Sequence, residues 1–535
     1  MRSFEACRRL SSFSDPDDAH SRADDHRIVI PTKLVSIAEA FEKKERSWFV
    51  TSSIPSDLTV QIQDITFYVH KYPLFSRCGY LSQLNLDSSS DSSYSPDLKI
   101  DNFPGGPDTF EAILKFCYGF PIDLTPENVA SLRCASEFLE MSEDLEEGNL
   151  MSKAEAFLTF AVLSSWRDSL TVLKSCEALS PWAENLQIVR RCSDSIAWKV
   201  SRDSSNCNDR RWFEDVCVLR IDHFMRVMTM LKVKGLAPET IGACIMHYAE
   251  KWLPGFDGGA DCDGSRAAGY GSGRHDHQLQ LSVLSGGRRQ EMGAGGCNRN
   301  ATNGNNNPNK DYRTMIESLV SMLPPHREAV SCRFLLRMLK MALICSVTPA
   351  LVTELEKRVG TVLDDATVGD LMIPNSSTSS AALGDQECSS MHDVDVVGRI
   401  VEYFLMHEKR EQQLKCANPA VGKLLDGYLA EIAMDPNLSM AKFQQLAEIL
   451  PQNARTCDDG LYRAIDTYLK THPSLKENER RRLCRAMDCE KLSLDACTHA
   501  AQNERLPVRV VVQCKFQTTK HQFDASTPRN FEDWV

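Results

Sequence analysis

At 535 residues the chain is too long for one hydrophobic core, so two folded domains with linkers are expected. A net charge of -12 excludes a general nucleic-acid binder, which needs clustered Lys and Arg to neutralise phosphates. No apolar run reaches the roughly 18 to 20 residues of a bilayer span, and the 20 cysteines are scattered through apolar helical faces such as Cys244, Cys345 and Cys497, as reduced thiols are.

Residues 1–53 are polar and broken by charges, and most of this stretch reads as a flexible leader. Its one apolar run, Val35 to Phe41, suits a short helix. From Asp57 the text changes: LTVQI and TFYVH alternate apolar and polar residues, the pattern of two strands joined by a tight turn. A helix through Leu74, Phe75 and Leu81 follows, then a serine-rich loop from Ser88 to Ser95, and Asp97 to Asp101 reads as a third strand. Phe110, Ile113, Leu114 and Cys117 share one face of a helix over Pro107 to Tyr118. Thr125, with Pro126 behind it, offers a hydroxyl cap and an N1 proline for another. Helical spacing then continues from Leu145 to Val200, and polar text at Ser201 to Arg211 marks a boundary.

The second domain opens at Trp212 and is helical throughout. Ile221, Met225, Met228 and Leu231 form one stripe, and Ile241, Ile245, Tyr248 and Trp252 form the next, ended by Pro254 and Gly255. The glycine- and asparagine-rich stretch 256–310 cannot bury a core and is expected to be disordered, as is the polar linker 375–390. Between and beyond them lie further stripes, of which Val421, Leu424, Leu425, Tyr428, Leu429 and Ile432 make the cleanest.

The densest stretch is Asp459 to Gln513. Leu461, Ile465 and Leu469 lie four apart, flanked by Tyr462 and Tyr468, in a helix that stops at His472 and Pro473. Ser474 with Glu477 predicts a capping box for a second helix, and Ser493 predicts the cap of a third through Leu494, Cys497 and Ala501. From Cys514 to Val535 the text is polar and without heptads, which reads as a divergent tail.

LYRAIDTYLK followed by LCRAMDCEKLSLDACTHAAQNERLPVRVVVQ closely resembles the signature block of the plant non-phototropic-hypocotyl / root-phototropism family. The hairpin, helix, strand and helices ending in Phe-Cys-Tyr-Gly resemble the BTB/POZ fold over roughly Ser56 to Met141. The resemblance implies an α+β BTB/POZ domain followed by a predominantly all-α helical array. Its segments are a leader (1–53), the BTB/POZ domain (54–145), a helical extension (146–205), the signature domain (212–513) and the tail (514–535). It also implies a substrate-specific adaptor of a cullin-3-based ubiquitin ligase in plant light and auxin-related signalling, or a non-catalytic scaffold for plasma-membrane receptor kinases or auxin-transport regulators without ligase activity. The implied partners are cullin-3, phototropin-type receptor kinases or related family members, and a second copy through the BTB domain. The short apolar-x-Glu segment that some cullin-binding BTB domains use has no clear copy here, so cullin binding comes from the resemblance alone. A cytoplasmic location is expected, with membrane contact at most peripheral.

No cofactor or metal site is expected. Cys484, Cys489, Cys497 and His499 lack the paired spacing of a structural zinc site, and no phosphate loop, nucleophile elbow or His-Glu-x-x-His pair occurs. Two features remain as candidate sites. Arg480, Arg481, Arg482 and Arg485 could form a basic contact face, although Glu477, Glu479 and Asp488 lie beside them. Tyr462 follows Arg455 and Asp458 at the spacing of a loose tyrosine-phosphorylation consensus, although a helix-core tyrosine explains the same residue.

Overall fold

The structure is a computed structural model that describes residues 28–30, 40–84, 98–203, 211–256, 308–375, 390–411 and 419–526. The Ser88 to Ser95 loop and nearly all of both predicted inserts lie outside them. The chain divides into two compact units, the first comprising residues up to Asn208 together with Val218–Met230, the second the remainder.

The first unit is built on a five-stranded sheet of order β2-β3-β5-β4-β6. Its strands are β2 (Ala40–Lys44), β3 (Ser47–Thr51), β4 (Leu58–Ile62), β5 (Ile65–Val69) and β6 (Leu98–Ile100). The hairpin read from LTVQI and TFYVH is β4 and β5, antiparallel with Val60 opposite Phe67. Leu58, Val60, Ile62, Phe67 and Val69 are buried, which fixes the register because a one-residue slip would turn them outward. β3 runs parallel to β5 and β6 parallel to β4. A separate antiparallel pair joins β1 (Ile28–Ile30) to β7 (Ile122–Leu124).

Two sequence expectations fail in this unit. The leader is not wholly separate from the fold: β2 and β3 pair along five residues, and Phe41, expected in a helix, is a strand residue whose ring packs edge-on against Tyr118 at 5.4 Å. Glu45 and Arg46 turn the chain between two five-residue strands, AFEKK and SWFVT, neither of which shows the alternation that marks a strand in the sequence. Thr125 is likewise not a helix cap. Its backbone N–H donates to Asn128 Oδ1 at 2.9 Å in a turn, and the helix starts at Val129.

Helices cover the sheet. Phe67, Phe103, Phe110 and Phe138 form a chain of ring contacts at 4.9, 5.3 and 5.5 Å, which joins the sheet to the Gly106–Cys117 and Val129–Phe138 helices. His70 and Tyr118 lock its edge. His70 Nε2 donates to Ile54 O at 2.9 Å, so Nδ1 accepts from the Tyr118 hydroxyl at 2.9 Å, while the His70 backbone N–H donates to the same oxygen. Behind them, buried Arg77 donates from Nε and Nη2 to Glu146 and from Nη1 to Phe116 O, so the helical extension is tied to the sheet unit by a fully engaged guanidinium. Helices Leu150–Phe160, Trp166–Ser175, Trp182–Asn185 and Ile188–Asp203 continue the unit. Helix Ile221–Val233 packs there too for most of its length: Arg220 N donates to Glu177 Oε1, Arg226 pairs with Glu184, and Phe224, Val227 and Met228 are buried.

The second unit is helical. Helices Pro238–Trp252, Pro308–Met322, Cys332–Ile344, Pro349–Thr361, Val394–Glu411, Pro419–Ile432, Met440–Glu448 and Asp459–Thr471 bury most of the predicted stripes, Val421, Leu425, Tyr428, Leu429 and Ile432 among them, but Trp252, read as the end of one stripe, is exposed. Pro374 and His392 form a β-bridge at the base of the 375–390 linker. Three of the first helices begin at proline, whose fixed φ and missing N–H suit the first turn. An α+β unit followed by a predominantly helical one is the expected fold class.

Candidate functional site

The C-terminal corner, where the signature block folds, holds the predicted site residues. Helix Asp459–Thr471 buries Leu461, Tyr462, Ile465, Tyr468 and Leu469 on one side. Tyr468 donates to Leu438 O at 2.8 Å and stacks on Phe443 at 4.5 Å, which anchors this helix to its neighbours. The next helix is Glu477–Leu483, and its cap differs from the predicted box. Lys476 is the N-cap residue and its backbone N–H donates to Glu479 at 2.8 Å, because Ser474 is taken up in a turn closed by Leu475 N donating to His472 O and the helix starts only at Glu477. Ser493 caps Leu494–Ala501 as predicted, accepting from Ala496 N at 3.2 Å.

The final helix, Val508–Ser526, runs straight through the point where a divergent tail was expected to begin. Pro507 opens it by accepting from Val510 N and Val511 N, and neither proline nor glycine follows before Pro528, so nothing in the polar text interrupts the backbone ladder. Cys514 is buried on its inner side, while Val508, Val512 and Phe516, four apart, are exposed.

Tyr462 is 3% exposed, and its hydroxyl sits inside a polar network. It donates to His499 Nδ1 at 2.5 Å and accepts from Asn503 Nδ2 at 3.3 Å. Asn503 also donates to Asp466 Oδ1 at 2.7 Å, and Asp466 holds Lys470 at 2.6 Å and Arg505 at 2.9 Å. Burial raises the Tyr462 hydroxyl above its ordinary range, so it stays a neutral donor. A kinase would reach this oxygen only after the corner opened. Arg455 and Asp458, the other members of the phosphorylation spacing, are also interior. Arg455 pairs with buried Asp426 at 2.9 Å, and Asp458 accepts from Asp488 N at 2.7 Å.

The four arginines differ in their surroundings. Arg480 is half-buried, donates from Nε to Leu475 O, and lines an open pocket of about 270 Å³ with Leu469, Lys470, Pro473 and Arg505. Arg481, Arg482 and Arg485 are exposed and are not among that pocket's walls; Arg481 pairs with Glu477. The pocket thus brings together three cations from three segments, two of them already shared with Asp466. Sequence reasoning missed Lys470 and Arg505 because neither belongs to a run of charge.

Asp466 supplies a pH-dependent contribution. Burial pushes its carboxyl up, but the bonds from Lys470, Asn503 and Arg505 outweigh that and hold it below its usual value. A depressed folded value means the stabilisation is complete above about pH 4 and is lost as pH falls through the folded value. Asp466→Asn is expected to cost about 2 kcal/mol at neutral pH. Urea titrations at several pH values check this: the substituted chain loses less stability than the parent between neutrality and acid.

These surroundings coincide with a recognisable block. The NPH3 family profile matches residues 210–497 and the BTB/POZ domain profile residues 49–156. The chain belongs to the NPH3 family. It is 52% identical over 524 residues to the BTB/POZ domain-containing protein DOT3 of Arabidopsis thaliana, covering 97% of this chain and 80% of that one. Root phototropism protein 3 of the same plant is 46% identical over 89% of this chain and 76% of its own length, and coleoptile phototropism protein 1 of Oryza sativa subsp. japonica is 43% identical over 89% and 75%. The chain is therefore related to phototropism proteins, and its N-terminal unit contains a BTB domain. The NPH3 match begins close to helix Arg211–Val216 and ends inside Leu494–Ala501, so Tyr462, Asp466 and Lys470 lie within it and their partners His499, Asn503 and Arg505 follow just beyond its end. Among the described residues, no helix is long and apolar enough to cross a membrane.

Proposed function

We propose that this NPH3 protein is a non-catalytic adaptor that presents a target to a cullin-3-based ubiquitin ligase, in plant light and auxin-related signalling. The observation that carries the reading is a BTB unit joined to a helical extension through Arg77, Glu146 and Asn149, a rigid platform of the kind that receives another protein's helices. Asn149 donates to both Arg77 O and Ser142 O and caps helix Leu150–Phe160 through Leu150 N, so the extension leaves the sheet unit at a set angle. The polar side chains around Tyr462 and Asp466 are engaged in holding helices together, which suits a surface that binds rather than one that reacts. Self-association through the BTB unit and binding of phototropin-type receptor kinases through the helical unit belong to the same reading. Its place is the cytoplasm, with peripheral contact at the plasma membrane.

The test is co-expression of the full chain with the N-terminal half of plant cullin-3, followed by size-exclusion chromatography. Co-elution that survives dilution to low micromolar concentration is expected, and charge reversal at Arg77 (Arg77→Glu) should abolish it by releasing the extension. Retention of a phototropin-type kinase with no cullin-3 in the complex would replace the adaptor by a receptor scaffold.

A further inference from the structure

Cys489 and Cys514 are 25 residues apart in sequence, yet their Sγ atoms stand 3.8 Å from each other. Cys489 opens the Cys489–Lys491 turn and is half-buried, so small solutes reach it; Cys514 is buried on the inner side of the Val508–Ser526 helix. Closing the gap to a disulfide's length of about 2.05 Å requires a movement of roughly 1.8 Å, within reach of side-chain rotation at the end of a turn. Among the described residues Cys78 also lies against Cys117 and Cys217 against Cys244, but all four of those residues are buried. The 489/514 pair alone, of these three, joins an accessible thiol to a protected one.

We propose that Cys489 and Cys514 form an oxidisable pair, in which Cys489 is attacked from solvent and Cys514 resolves the product. Cys489, as thiolate, attacks one sulfur of a low-molecular-weight disulfide of the glutathione class and releases one glutathione thiolate. Cys514 then gives up its proton and attacks Cys489 Sγ, expelling the second glutathione. Two protein thiols and one glutathione disulfide become one protein disulfide and two glutathione thiols. The bond donated by Cys514 lowers the Cys489 thiol below its ordinary value, against burial and the nearby Asp488 and Asp458, which raise it. Cys514 is raised by that same bond and by burial, which suits a second-step thiol.

The cross-link closes a loop that contains His499, Asn503 and Arg505, so oxidation pins the residues that surround Tyr462 and Asp466. The reduced and oxidised proteins then differ in how readily this corner opens, without any change in the BTB unit.

Treating the reduced full-length chain with glutathione disulfide and mapping peptides without reductant tests the pair. The expected product is one linked peptide joining Cys489 to Cys514, two hydrogens lighter than its halves and reversed by dithiothreitol, with Cys78, Cys117, Cys217 and Cys244 still free. Cys514→Val should leave a stable glutathione adduct on Cys489. Amide exchange over residues 508–519 should slow several-fold on oxidation of the parent chain and not of the Cys514→Val chain. Exposed Cys457 reports that the reagent is active. A persistent adduct on Cys489 in the parent chain, a bond from Cys489 to Cys484 or Cys497 instead, or no reaction at Cys489 while Cys457 is modified overturns the proposal.

Discussion

Arg455→Ala is expected to lower the stability of the helical unit by about 3–5 kcal/mol, the cost of stranding a buried charge. Both side chains of the Arg455–Asp426 pair are 7% exposed, and Arg455 also donates to Ala447 O at 3.1 Å. Burial holds the Asp426 carboxyl above its ordinary value even with Arg455 beside it, and Asp458 pushes in the same direction. Removing the guanidinium therefore leaves two neighbouring carboxylates facing each other away from water. A raised folded value means that the folded chain takes up a proton before the unfolded one does. The deficit of Arg455→Ala should then shrink as pH falls toward about 5, where a carboxyl of ordinary value near 3.9 is still ionised in the unfolded chain. Adding Asp426→Asn to Arg455→Ala should recover part of the loss at neutral pH. Urea midpoints for the two single variants and the double variant, at neutral and mildly acid pH, measure all three quantities. A loss under 1 kcal/mol for Arg455→Ala would mean that water reaches the pair.

Gly242→Ala is expected to be as damaging by a different route. An added Cβ in the Pro238–Trp252 helix would lie 1.9 Å from the carbonyl oxygen of Ala329 and 3.2 Å from Val330 Cγ2. The obstacle at 1.9 Å is backbone, in the turn Arg327–Ala329, so no rotamer relieves it and the helix must move off its neighbour. Overpacking of this kind costs roughly 1–3 kcal/mol and more where backbone is the obstacle. Gly369 is the control: nothing lies within 4 Å of its added Cβ, so Gly369→Ala should be neutral or stabilise by up to about 1 kcal/mol. Thermal denaturation of both variants separates the two cases.

Arg455 and Gly242 also mark where sequence reading stops. In the text Arg455 is one cation near an aspartate and a tyrosine, and the helical period carries no information about a partner 29 residues earlier. Gly242 sits in the middle of a clean apolar stripe, where glycine weakens a helix, and its reason lies in a turn 87 residues away. The apolar stripes themselves were legible because burial of one helical face repeats every 3.6 residues regardless of what covers it. The same logic found β4 and β5, and failed at β2 and β3, whose members are held by neighbouring strands more than by their own alternation. The helix that runs through Cys514 was missed for a related cause: polarity says that a segment is not buried, and says little about whether its backbone is helical.

The order of residues alone determined the two-part architecture, some of the helix starts, such as Pro238 and the Ser493 cap, and the family to which the chain belongs, because these depend on local chemistry and on a long, specific run of signature residues. Tertiary structure alone decided that Tyr462 is tied to His499 and Asn503, that Arg480 meets Lys470 and Arg505, and that Cys489 meets Cys514. Each of those meetings joins segments separated by loops or helices, and their distances follow from how the helices pack, which no local pattern encodes.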